Sequence, residues 1–224
     1  MAQIDTDQFP DPGLYLLWSD GGRLDLTRDR IEAHTRAMLD DPTKIPPHVK
    51  AAADYQPCSI CPHRDDAEIC HAIMTTLPFM DEIDRYMSYD SVVAVYRGED
   101  DDVLHVRETV MQDALTYVSI LALTQYCEVG CEYGKYFRSV DPLTPPAKIA
   151  AQLYRNIYVE AEGNMTSIEA IIRRMESEIG LTTRCQVARL QLISKKDAFV
   201  NAFVAAQTVI GILFMELNRR LKSA

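Results

Sequence analysis

Six cysteines occur in this chain of 224 residues, and three of them fall within thirteen positions, in the stretch from Cys58 to His71, CSICPHRDDAEICH. The spacing is C-x2-C-x8-C with His63 and His71 interleaved. Two cysteines three apart on a tight turn can direct both sulfurs at one ion at the tetrahedral Zn–S distance of about 2.3 Å. Pro62 stiffens that turn. Asp65 is expected to cap a helix beginning near Asp66, which would place Cys70 one turn inside it, facing back toward Cys58 and Cys61. A closed site needs a fourth ligand, and the candidates are His63, His71, Cys127, Cys131 and Cys185. Cys127 and Cys131 are spaced i, i+4 near the end of an apolar helical run, and Cys127 is favoured because it continues that run. A site of Cys58, Cys61, Cys70 and Cys127 suits either zinc or an iron–sulfur cluster, since both accept four thiolates. With water in the fourth position the ion would instead act as a Lewis acid, which is the form an enzyme would take. No substrate is implied by these residues.

Other chemistries lack their parts. A redox C-x-x-C is expected in a βαβ context that does not surround Cys58 and Cys61. Glu68-Ile69-Cys70-His71 is an E-x-x-H, but a di-metal carboxylate site needs that motif twice. His34, His48 and His105 stand apart in sequence, and Glu99 to Asp102 reads as a solvated turn without the ligand alternation of a calcium loop. Neither a G-x-S-x-G nucleophile elbow nor a phosphate-binding glycine pattern occurs. Residues 168–193 could be read as a helix-turn-helix turning at Gly180, with Arg184, Arg189, Lys195 and Lys196 as its basic face. The formal charge of −10 and pI near 4.9 oppose that reading and disfavour nucleic acid in general.

The elements that must position the cysteines can be read from periodicity. Leu14 to Trp18 and Leu24 to Leu26 flank Ser19-Asp20-Gly21-Gly22 and predict a hairpin. Asp29 to Leu39 carries Ile31, Thr35 and Met38 at helical spacing and ends at Asp40-Asp41-Pro42. Ser91 to Arg97 is β-branched and aromatic and can pair with Val103 to Val106 as a second hairpin. From about Arg107 the pattern turns helical, and Ala114 to Cys127 holds no charge, as expected of a helix surrounded by others. Thr144 is expected to cap a helix opening with Pro145-Pro146. Thr166 with Glu169 forms a capping box for a helix that Gly180 would stop, and Thr183 with Gln186 forms another for Cys185 to Ile193. Asp197 would cap a last helix to about Leu221.

That last helix has an uncharged run, Ala198 to Met215, approaching the length of a membrane span. Asn201, Gln207, Thr208 and Gly211 within the run, and a mean hydropathy of −0.14 for the chain, favour a buried bundle helix or an oligomer contact. Apolar residues at 47% and charged ones at 25% are ordinary globular values and exclude disordered and fibrous classes. Residues 1–102 carry 21 acidic against 9 basic side chains, whereas 103–224 are nearly balanced. The first twenty residues place acids and prolines where a secretory leader needs a basic and then an apolar region, so a reducing cytoplasm is expected and disulfides are not. The fold class expected is predominantly α (α+β): an acidic part, 1–102, with hairpins and the cysteine loop, beside a helical bundle, 103–224. The function expected is metal binding with a structural, redox-sensing or electron-transfer role. The alternative is a helical interaction module, pairing with a protein partner or a second copy, whose cysteines are structural.

Overall fold

The computed structural model describes residues 6–54, 57–65, 69–98 and 103–223. Both hairpins form, and they join into one sheet. Strand β1 (Gly13–Leu17) pairs antiparallel with β2 (Arg23–Thr27), and β3 (Ser91–Arg97) pairs with β4 (Leu104–Val110). β1 also pairs with β3, Leu14 opposite Tyr96 and Leu16 opposite Ala94, which gives the order β2-β1-β3-β4. Gly21 supplies the positive φ of 87° at the β1–β2 turn. Strand periodicity divides the inner strand between two faces: Leu14 and Leu16 enter the main core, while Tyr15 packs with Phe9 and Val95 on the other side.

The helices are α1 (Arg28–Asp40), the short α2 (Lys50–Ala53) and α3 (Met80–Ile83), then α4 (Met111–Thr124), α5 (Pro146–Glu160), α6 (Met165–Gln191) and α7 (Ala198–Ser223). α7 packs against α4, α5 and α6. One apolar cluster runs from Leu14 in β1 to Leu217 in α7. It buries α4 almost all round, as its uncharged sequence requires.

Several boundaries differ from those expected. Residues 107–110 are strand, because the ladder to β3 continues as far as Ser91 opposite Val110. α4 therefore starts at Met111, and its first amides are satisfied by Asp90 O at 3.0 Å and Ser88 O at 3.0 Å. Thr144 does not cap α5; its hydroxyl donates to Asp141 O at 2.9 Å, and Pro145 precedes the helix. Asn164, not Thr166, caps α6, its Oδ1 accepting from Ser167 N at 3.0 Å.

The largest departure is Gly180, which lies inside a continuous helix of 27 residues rather than stopping one. An interior glycine costs a helix about 1 kcal/mol relative to alanine. Burial of Ile168, Ile172, Met175, Ile179 and Leu190 on one face outweighs it. The unbroken helix also removes the helix-turn-helix reading: no turn separates two helices, and Arg189 is buried. α7 is the one helix among the described residues long and apolar enough to cross a membrane. Here Ala202, Phe203, Val209, Leu213 and Leu217 face the bundle, while Val204 and Met215 are exposed.

Candidate metal centre

In the described part of the cysteine stretch, residues 57–65 are half-buried or exposed, and the chain is buried again from Ala72 onward. The expected tight turn is present, with Cys61 N donating to Cys58 O at 2.9 Å and Arg64 N to Cys61 O at 3.2 Å. Residues 66–68, where a helix was expected to begin and where Glu68 of the E-x-x-H lies, are outside the described residues. Cys70 itself is extended (φ −79°, ψ 115°) and precedes a 3-10 turn, His71–Thr75, so it is not one turn inside a helix. The physical reason lies just downstream. Thr75 and Thr76 hydroxyls donate to the carbonyls of Ala72 and Ile73 at 2.9 and 2.8 Å, and Pro78 cannot continue a helix. Ala72, Ile73, Met74 and Thr75 are buried, which anchors Cys70 at the edge of the core.

Cys127 arrives from another direction. α4 ends at Thr124, three residues short of it, so Cys127 and Cys131 do not share a helix face as expected. They bracket a turn in which Cys131 N donates to Cys127 O at 2.8 Å. That turn folds back on the end of α4 so closely that a Cβ at Gly130 would lie 1.7 Å from Leu123 O, and one at Gly134 2.6 Å from Thr124 O. The approach tolerates only hydrogen at these positions. It fixes Cys127 in a buried position, while Cys131 is exposed with its Sγ donating to Glu128 O at 3.1 Å.

Cys58, Cys61, Cys70 and Cys127 line a single cavity of about 40 Å³, together with Ile69, Ala72 and Tyr126. His63 and His71 lie at the same cavity, His71 exposed and His63 directed at Glu128 with Nε2 3.7 Å from Oε1. Cys185, half-buried on α6, adjoins it through a hydrogen bond with Cys58. Among the described residues, no group of three or more His, Cys, Asp or Glu is arranged to hold a metal ion. The convergence expected from the spacing is present as a shared cavity, not as a coordination geometry.

The electrostatics are those of crowded thiols. Burial pushes the Cys127 thiol up to about 11, against the pull of the Gly130 and Val129 amides, and neighbouring Cys70 and Cys61 push it the same way. The hydrogen bond to Cys185 raises the Cys58 thiol, and burial and the other sulfurs add to that. Cys185 is correspondingly lowered by that bond, and Arg189 reinforces the effect. A cation among these sulfurs would favour the thiolate form of each of them.

Two further residues at the cavity were not anticipated as part of it. Gln186 is fully buried on α6 and donates from Nε2 to Cys70 Sγ at 3.3 Å, while its Oε1 has no hydrogen-bond partner among the described residues. Arg189 is 1% exposed, donates from Nη1 to Ala52 O at 2.8 Å and Ala53 O at 3.2 Å, and lines the cavity. A signal for Gln186 existed in the sequence, and Arg189 lies three residues further along the same helix. The apolar stripe Ile168, Ile172, Met175, Ile179 continues at the same period through Thr183, Gln186 and Leu190, provided Gly180 is not taken as a stop. No protein-family model, curated protein or solved structure matches this chain.

Proposed function

We propose that this is a metal-binding protein in which Cys58, Cys61, Cys70 and Cys127 hold a zinc ion or an iron–sulfur cluster, in a structural, redox-sensing or electron-transfer role. One observation carries the reading: sulfurs from three separated stretches of chain, at 58–61, 70 and 127, are brought to one cavity. Burial, with a smaller push from Cys70 and Cys61, keeps the Cys127 thiol above its ordinary range, and a cation at the cavity would supply the charge that lets these crowded sulfurs ionise together. Four thiolates accept zinc or a cluster, and full ligation would leave no open position for a substrate. Free thiols at all six cysteines suit the reducing cytoplasm that the reading assumes.

A second reading is supported by the outer face of α7, where Met215 is exposed and exposed Val204 lines a shallow groove with Glu176, Thr208 and Gly211. In that reading the protein is an interaction module that pairs through α7 with a protein partner or a second copy. The deciding experiment is anaerobic purification followed by an absorption spectrum and elemental analysis. A broad band at about 400 nm with iron present is the cluster outcome, since thiolate-to-iron charge transfer absorbs there. A colourless protein with about one zinc per chain is the zinc outcome. Neither metal, with all six thiols freely titratable, overturns the proposal and leaves the interaction module.

A further inference from the structure

We infer that Gln186 and Arg189 of α6 stabilise the negative charge of the thiolate centre and so set its affinity or its reduction potential; this rests on the metal-binding reading above. Zinc held by four thiolates is a dianion, and so is an oxidised four-iron cluster held the same way. His63, His71 and Glu128 line the exposed side of the cavity, but on the side of Ile69, Ala72 and Tyr126 a centre of that charge requires donors and positive charge in place of water. α6 brings both. The Gln186 amide donates to Cys70 Sγ at 3.3 Å while its carbonyl oxygen is buried with no hydrogen-bond partner among the described residues, so the sulfur is the contact this side chain makes there. Arg189 is one helical turn further on and permanently charged. Its guanidinium is fixed by the Ala52 and Ala53 carbonyls at the end of α2, lines the cavity and lies against Cys185.

Neither residue would be a ligand; each would act through the sulfurs. The structural part of Arg189, tying α2 to α6, is separable from its charge, because a lysine can keep the charge and a methionine cannot.

The test compares metal-loaded wild type with Gln186→Leu, Arg189→Met and Arg189→Lys. For zinc the readout is affinity by chelator competition; for iron it is the reduction potential. Circular dichroism and the melting temperature of the metal-free proteins report on the fold. Loss of either outer partner is expected to weaken zinc retention by roughly 10- to 100-fold. In the iron form the potential should fall, because the reduced state carries the greater negative charge. Arg189→Lys should recover most of the loss. If Arg189→Met fails to fold, Gln186→Leu decides. Folded variants that retain metal with wild-type affinity and potential overturn this inference alone. A wild-type protein that takes up neither metal overturns the metal-binding reading, and this inference with it.

Discussion

Gly130→Ala isolates the contact that positions Cys127. Gly130 has φ −86° and ψ −15°, a conformation alanine adopts freely, so the substitution carries no dihedral penalty and acts only through space. The added Cβ would lie 1.7 Å from Leu123 O, 2.9 Å from Leu123 C and 3.2 Å from Ile179 Cδ1. The first two are main-chain atoms of the last turn of α4 and cannot rotate away. The turn must therefore move outward by about 1.7 Å, from 1.7 Å to the 3.4 Å at which ordinary contact begins. Overpacking that side chains can absorb costs about 1–3 kcal/mol, and with backbone on both sides the loss should reach the upper end, about 3 kcal/mol. For a chain of this size that corresponds to a fall in melting temperature of roughly 6–12 °C. Cys127 moves with the turn, because the Gly130 amide is hydrogen-bonded to its thiol, so metal retention should fall as well. Denaturant unfolding and metal analysis of the variant provide the check. Gly211→Ala is the control: nothing lies within 4 Å of its added Cβ, and it should gain about 0.5–1 kcal/mol as an interior helix position. A loss below 1 kcal/mol for Gly130→Ala, or undiminished metal retention, would refute the argument that close approach to α4 holds Cys127 in place.

Gly180→Ala separates a continuous α6 from a helix that stops there. In the continuous helix an added Cβ meets Gln207 Nε2 at 3.4 Å, an ordinary contact, so alanine should stabilise by about 0.5–1 kcal/mol, whereas at a left-handed stop it would destabilise; urea titration gives the sign. Acid should weaken the join between the segment after α3 and α7. There Asp197 accepts from Ser88 N at 2.7 Å, Ser88 Oγ at 2.9 Å and Asn201 Nδ2 at 3.0 Å. Partial burial pushes the Asp197 carboxyl up, but the Ser88 and Asn201 bonds outweigh it and hold the group below its ordinary range. A depressed folded pKa gives stability that is fully present above the unfolded value of about 3.9 and is lost as pH falls through the folded value. Unfolding free energies of wild type and Asp197→Asn should therefore converge below about pH 4, and a gap that stays constant down to pH 2 would count against the assignment.

The parts of the fold that depend on neighbouring residues were readable from the chain. The alternation in Leu14 to Leu26 about Gly21-Gly22 and the spacing in Ser91 to Val106 specify hairpins, because pairing partners are close in sequence. The β1–β3 ladder that fuses them joins residues about eighty apart, and nothing local encodes it. Thr166-x-x-Glu169 and Gly180 have the form of end signals, but Asn164 takes the cap two residues earlier, and the roughly 1 kcal/mol that a glycine costs a helix is less than burying a stripe of isoleucines contributes. The same misplaced stop hid Gln186 and Arg189. Of the cysteines, three were marked by spacing and Cys127 by the apolar run before it, although the helix supposed to carry it ends earlier.

The cavity lies where the fold is least able to hold itself. Cys58 and Cys61 sit in a stretch where residues 57–65 contribute no fully buried side chain, and Cys127 follows the end of α4 in a turn without regular structure. The bundle core of Leu115, Ile172 and Phe203 belongs to elements that pack through one another. A cation shared by the four sulfurs would therefore add most of its free energy to holding the turn of Cys58 and Cys61 in place, and little to global unfolding. On the metal-binding reading proposed above, that placement would suit a sensor better than a clip for the whole fold. Loss of the ion would release the stretch carrying Cys58 and Cys61 while leaving α6, with Gln186 and Arg189 facing the cavity, in place to receive it again.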